Sequence, residues 1–149
     1  MRYLASLLLV LLLPFSTAAV AQDAAAPPAK QRFLIQVTAG QDNPTKAALA
    51  FLVAKTALEE GHPVQIFLAG DAVLLLKDDV MASVTGLGTG KLADHYKTIV
   101  EKGGRFHLSG NSSKARGLTD ADLAGKPAAF ATPSVLVKLA AEADKVLVY

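Results

Sequence analysis

The sequence predicts an α/β domain in which a parallel sheet lies between helical layers. Three observations carry this reading. Short apolar runs of strand length alternate with longer helix-like segments, and strand–helix–strand repeats fold into right-handed units with parallel strands. The strand runs, RFLIQVT (32–38) and VQIFLAG (64–70) among them, are nearly continuously apolar, the pattern of strands covered on both faces. Residues 32–149 are also enough chain for one domain and too few for two.

The N-terminus stands apart from that domain. MRYLASLLLVLLLPFSTAAVAQ carries one basic residue, Arg2, an apolar run from Leu4 to Leu13 and a break at Pro14. It closes with Ala19-Val20-Ala21 before Gln22, a small-x-small cleavage pattern. The run is too short to span a bilayer, so residues 1–21 read as a secretory signal peptide cleaved after Ala21, with an uncleaved anchor as the alternative. The expected location is the periplasm of a bacterium, or outside the cell, with no membrane attachment after cleavage. Residues 22–31 are an Ala/Pro-rich spacer with nothing to bury.

Composition narrows the chemistry. Cleavage would remove only Arg2 from the 15 basic residues and none of the 13 acidic ones, so the remaining chain is nearly neutral. There is no Lys/Arg cluster and no aromatic-interleaved basic stripe, so nucleic acid is not an expected partner. The chain has no cysteine, hence no disulfide and no thiol chemistry, and burial alone must hold the fold.

Along the domain, 32–38 is the first strand. Asn43 then caps a helix whose first position suits Pro44 and whose end is marked by Gly61. Lys55 and Glu59 form an i,i+4 pair within it, in the less favoured orientation. Every residue from Ala47 to Ala54 is apolar, whereas a surface helix normally shows a charged face. Part of this helix is therefore expected to pack against another subunit, unless its alanines are simply tolerated in water. The second strand follows, and Asp71 opens a short apolar helix, DAVLLLK. Residues 83–90, SVTGLGTG, read as a flexible loop, KLADHYKTIVEKGG as a helix with a glycine stop, and RFHLS as the third strand. TDADLAGKPAAFATP is ambiguous: Thr119 and Asp120 suit a short helix start, and 128–131 is at best a weak strand. A helix from Pro133 to Glu142 and a strand KVLVY finish the chain.

In open parallel sheets, ligands bind beyond the carboxyl ends of the strands. Three loops should meet there: 38–43, 69–71 and 109–112. The candidate ligand-binding residues are Gly40, Asn43, Thr45, Asp71, Ser109, Gly110, Asn111, Ser112 and Arg116, with helix-start amides adding donors for an anion or oxyanion. The plainer reading is that Asn43 and Ser112 only cap their own helices, and that Arg116 ties the loop or a neighbouring subunit. Ser109 or Ser112 as nucleophile would need a base. His107, two residues from Ser109 on the same strand face, is the available candidate. No G-x-S-x-G elbow surrounds them.

Other motifs fail. GLGTGKL lacks the first glycine of a P-loop and has Leu92 where Ser or Thr is needed. His62, His95 and His107 lack the spacing and companions of a metal site, so neither metal nor cofactor is expected. Asn111-Ser112-Ser113 matches a glycosylation sequon, which a bacterial signal peptide makes a chance match.

The order of elements, with GHPVQIFLAGDAV after the first helix, SGNSSKARGL after the third strand and AAEADKVLVY at the end, resembles the DsrE/DsrF/DsrH (TusD-like) family of small sulfur-relay proteins. The resemblance covers 32–149. It implies a flavodoxin-like three-layer α/β/α fold and assembly into trimers or hexamers, or into mixed oligomers with a related subunit. It also implies a sulfur-carrying cysteine after the third strand, with a second three residues on in some members. Those positions match Ser109 and Ser112. A serine hydroxyl is neither ionised at neutral pH nor soft, so a persulfide relay through this chain is chemically excluded. The expected function is a non-catalytic, oligomeric small-ligand-binding or scaffold module. The alternatives are an enzyme using Ser109 or Ser112 with His107, and an assembly subunit for a cysteine-bearing relative.

Overall fold

The computed structural model describes residues 29–149; the signal-peptide reading of 1–21 and the spacer up to residue 28 lie outside the described residues. Five strands form one sheet in the order β6-β5-β2-β1-β7, and all four pairings are parallel. These are β1 (Phe33–Val37), β2 (Val64–Leu68), β5 (Arg105–Ser109), β6 (Ala128–Ala131) and β7 (Lys145–Val148). The register places Ile35 beside Ile66, Ile66 beside Phe106, and Phe106 beside Ala128. A single row of side chains therefore runs across four strands on one face.

That face carries the main core. Ile35, Ile66, Leu68, Phe106 and Leu108 meet the inner sides of α1 (Pro44–Glu59) and α3 (Leu92–Glu101). The Phe106 ring lies 5.7 Å from Phe51 of α1 and 5.3 Å from Tyr96 of α3. The 3-10 helix Gly70–Leu76, α2 (Asp78–Ser83) and α5 (Asp120–Leu123) close the same layer. The opposite face is covered by α6 (Pro133–Glu142), none of whose ten residues is buried. Its small cluster joins Leu34, Phe67 and Ala131 to Val135, Leu136 and Leu139. The architecture is the expected three-layer α/β/α fold with unequal layers.

Local signals act where the chemistry says they should. The Asn43 side chain accepts from Lys46 N at 3.1 Å, Pro44 follows it at the first helical position, and Gly61 leaves α1 at φ +87°. Lys55 and Glu59 pair at 3.7 Å. Thr119 and Asp122 form a capping box at the start of α5.

The apolar composition of α1 has an explanation within the chain. Ala47, Ala50, Phe51 and Ala54 face the sheet side, and Ala48 is buried under residues 85–91. A Cβ on Gly86 would stand 2.9 Å from Ala48 Cβ, so the backbone there lies directly on the helix. Leu49, at 37% exposure, is the large apolar residue left open on it.

Two expectations need correction. Residues 83–90 are not a plain flexible loop. Ser83 ends α2, and β3 (Thr85–Gly86) pairs antiparallel with β4 (Gly90–Lys91). The hairpin is fastened by Leu87 N donating to Thr45 Oγ1 at 3.0 Å and by His95 Nε2 bonding Thr89 O at 2.6 Å. Glycines 88 and 90, both at positive φ, allow the tight return. Nor does Asp71 open one helix: the 3-10 helix starts at Gly70, the chain straightens at Lys77, and α2 begins at Asp78.

Candidate functional site

The three loops expected at the carboxyl ends of the strands do converge. Loop 38–43 presses against the start of the 3-10 helix so closely that a Cβ on Gly40 would lie 2.8 Å from Asp71 Cβ. Any side chain at residue 40 would push these loops apart. Gly70, at φ +55°, turns its amide toward α4 (Gly110–Ala115), where Ser112 Oγ accepts from it at 3.0 Å. Arg116 reaches back from the end of α4. Its Nε donates to Asp71 Oδ1 at 2.8 Å and its Nη1 to Ser112 O at 3.3 Å.

Gly40, Asp71, Ser112 and Arg116 are thus brought together, with Ser109 and Gly110 at their base. Ser109 is the residue that caps α4, its Oγ accepting from Ser112 N at a long 3.4 Å. Ser112, read in the sequence as a cap, instead crosses to the neighbouring loop. Asn43 serves its own helix, as the plainer reading held. Thr45 is engaged by the hairpin and stands away from the loop cluster's bonds. Asn111 is exposed, and its side chain makes no hydrogen bond among the described residues.

The electrostatics follow from these contacts. Arg116 is the cation expected to attract an anion, and Asp71 already neutralises it across a 2.8 Å ion pair. Asp71 remains 58% exposed and Arg116 28%, so the pair is a solvent-facing latch. Ser112 Oγ gives one of its two acceptor positions to the Gly70 amide. Asp71, Arg116, Ser112 and the Gly70 amide are thus bonded to one another.

The nucleophile reading finds no dyad. His107 shares a sheet face with Ser109, but its Nε2 bonds Gln65 Oε1 at 2.7 Å. Burial, with a smaller contribution from the Arg105 charge, holds His107 below its usual pKa. A neutral imidazole is therefore present, but it is engaged with Gln65 on β2 and not with a serine. Gln65 went unrecognised in the sequence; the signal was its place as a polar residue on a strand read as buried. Among the described residues, no group of three or more His, Asp or Glu stands close enough to hold a metal ion.

A match to the family model described as "DsrE/DsrF-like family" spans residues 31–149, nearly all of the described residues. The chain belongs to this family. Two solved structures share its fold. The YchN protein of E. coli superposes with a TM-score of 0.64 at 17% identity, covering 80% of this chain and 99% of that one. A conserved protein of unknown function from Bacteroides thetaiotaomicron gives 0.58 at 14% identity, covering 80% and 95%. No curated protein matches the chain in sequence. In this DsrE/DsrF-like domain the serine loop sits at the end of β5, and the chain has no cysteine to place there.

Proposed function

We propose that this chain is a non-catalytic, oligomeric DsrE-like module of the periplasm that acts as a scaffold. The observation that carries the reading is the latched loop. Arg116 is committed to Asp71, Ser112 to the Gly70 amide, and the chain has no thiol. A loop that carries sulfur needs an accessible soft nucleophile. A loop that holds an anion needs a cation whose charge is not already spent. This one lacks the first, and the cation it would offer the second is paired with Asp71. What is left is a well-packed domain whose surfaces are its means of action. The periplasmic part of the reading rests on the apolar run 4–13 and the Ala19-Val20-Ala21 signature.

The experiment is ligand capture with and without the latch. Native mass spectrometry of the mature protein should show an oligomer with no stoichiometric small molecule. Asp71→Asn, which frees the Arg116 charge, should create weak binding of inorganic phosphate or sulfite where wild type shows none. Wild-type binding of a small anion that Arg116→Ala abolishes, with the fold intact, would replace scaffolding with ligand binding. An N-terminus beginning at Gln22 in the periplasmic fraction is expected; retention of Met1 would contradict the cleaved-leader reading.

A further inference from the structure

The sheet has two edges, and they are not alike. The β7 edge opens with Lys145, the kind of residue that discourages strand addition. The β6 edge reads Ala128-Ala129-Phe130-Ala131, without a charge, and Ala129 and Phe130 are exposed. Pro127 and Pro133 bracket it and limit pairing to a short central window.

The backbone of that window can be accounted for group by group. Phe106 N donates to Pro127 O at 2.9 Å, which sets the phase of the β5–β6 ladder. Ala129 and Ala131 then turn their amides and carbonyls to β5, while Ala128, Phe130 and the extended Thr132 turn theirs outward. Two of the outward groups are already used within the chain. Ala128 N donates to Lys126 O at 2.8 Å, and Thr132 O accepts from Val135 N at 3.0 Å. The outward groups left are Phe130 N–H, Phe130 O, Ala128 O and Thr132 N–H.

We propose that this edge pairs antiparallel with the same edge of a second copy, about a two-fold axis through Phe130; the inference rests on the oligomeric reading above. In that register Phe130 N–H and O exchange hydrogen bonds with Phe130 of the second copy. Each Thr132 N–H meets the other copy's Ala128 O. The two internally satisfied groups, Ala128 N–H and Thr132 O, fall opposite each other and need nothing. Ala129 faces Ala131 of the other copy, small against small on the α6 side. The two Phe130 side chains share the opposite face, since Phe130 is in register with Leu108. Each lies beside its own groove of about 350 Å³ lined by Ser113, Lys114, Gly117, Leu118 and Thr119. No charge is set against its own copy within the window. A foreign strand would bond the same backbone groups, but the palindromic match of free and used groups is specific to a two-fold partner.

The cysteine-free chain makes a direct test possible. Opposed residues of a hydrogen-bonded antiparallel pair lie about 5.5 Å apart at Cα, within the roughly 4.4–6.8 Å that a disulfide spans. Phe130→Cys should therefore cross-link to itself under mild oxidation, and Val137→Cys, exposed on α6, should not. Phe130→Glu should halve the native particle mass while its circular dichroism stays that of wild type, and Val137→Glu should leave the mass unchanged. A wild-type oligomer whose mass ignores Phe130→Glu, with Phe130→Cys unlinked or linking no faster than Val137→Cys, overturns the edge pairing and leaves the oligomeric reading standing. A monomeric wild type overturns that reading itself.

Discussion

The two faces of the sheet differ more than a symmetric three-layer fold would suggest. On the α1/α3 face a continuous cluster of 23 buried residues runs from Ile35 through Phe106 to Leu123. On the α6 face the buried cluster is Leu34, Phe67 and Ala131. The remainder of that face carries Gln36, Gln65, His107 and the exposed Val146 and Val148. Hydrophobic stabilisation scales with apolar area removed from water. The first face therefore holds the domain together, and the second is where the chain has surface to spare.

The largest test of that contrast is a pair of truncations. Phe106→Ala should cost about 3–5 kcal/mol in urea unfolding, because three packed rings leave a cavity that cannot close. Phe67→Ala, under a single helix with no buried residue of its own, should fall below that range, ~2 kcal/mol, because α6 can settle inward. Equal losses would break the comparison.

The latch should contribute less than either core. Ser112→Ala leaves the Gly70 amide without its partner and should cost about 1 kcal/mol. Arg116→Ala should cost under ~1 kcal/mol, since its partner carboxylate is mostly in solvent. A loss from Arg116→Ala as large as that from Phe106→Ala would mean that the loop cluster is part of the structural core.

The smallest effect expected is a pH dependence on the weaker face. His107 has its pKa lowered in the fold, so the unfolded chain takes up the proton more readily. Its contribution is fully present above the unfolded value near 6.5 and declines as pH falls from there through the lower folded value. Thermal melts should thus lose stability between neutral and mildly acidic pH, and His107→Asn should flatten that stretch of the profile. A profile unchanged by the substitution would show that His107 plays no part in it.

Much of the fold was legible because its local signals are strong. Asn43-Pro44 marks the start of α1, Pro133 and Glu142 bound α6, and the apolar runs at 32–38 and 64–70 mark the central strands. The asymmetry of the faces was not. RFLIQVT reads as apolar on both sides, yet only Leu34 on the second face is deeply buried, and how much helix arrives to cover a face is a tertiary fact. The hairpin at 85–91 was missed because its fasteners, Thr45 and His95, lie in other elements. At the site, sequence identified Asp71, Ser112 and Arg116 separately as ligand contacts. That they satisfy one another depends on Gly70 and on how α4 leans toward the second loop, which no spacing rule encodes.

The central claim is that the loop after β5 is latched shut and the protein works through its surfaces. Native mass spectrometry of the protein, gently purified from its native source, tests it most directly. The account predicts an oligomer, of this chain alone or with a second protein, whose mass leaves no room for a stoichiometric small ligand. A small molecule bound once per chain, lost with Arg116→Ala, would contradict it.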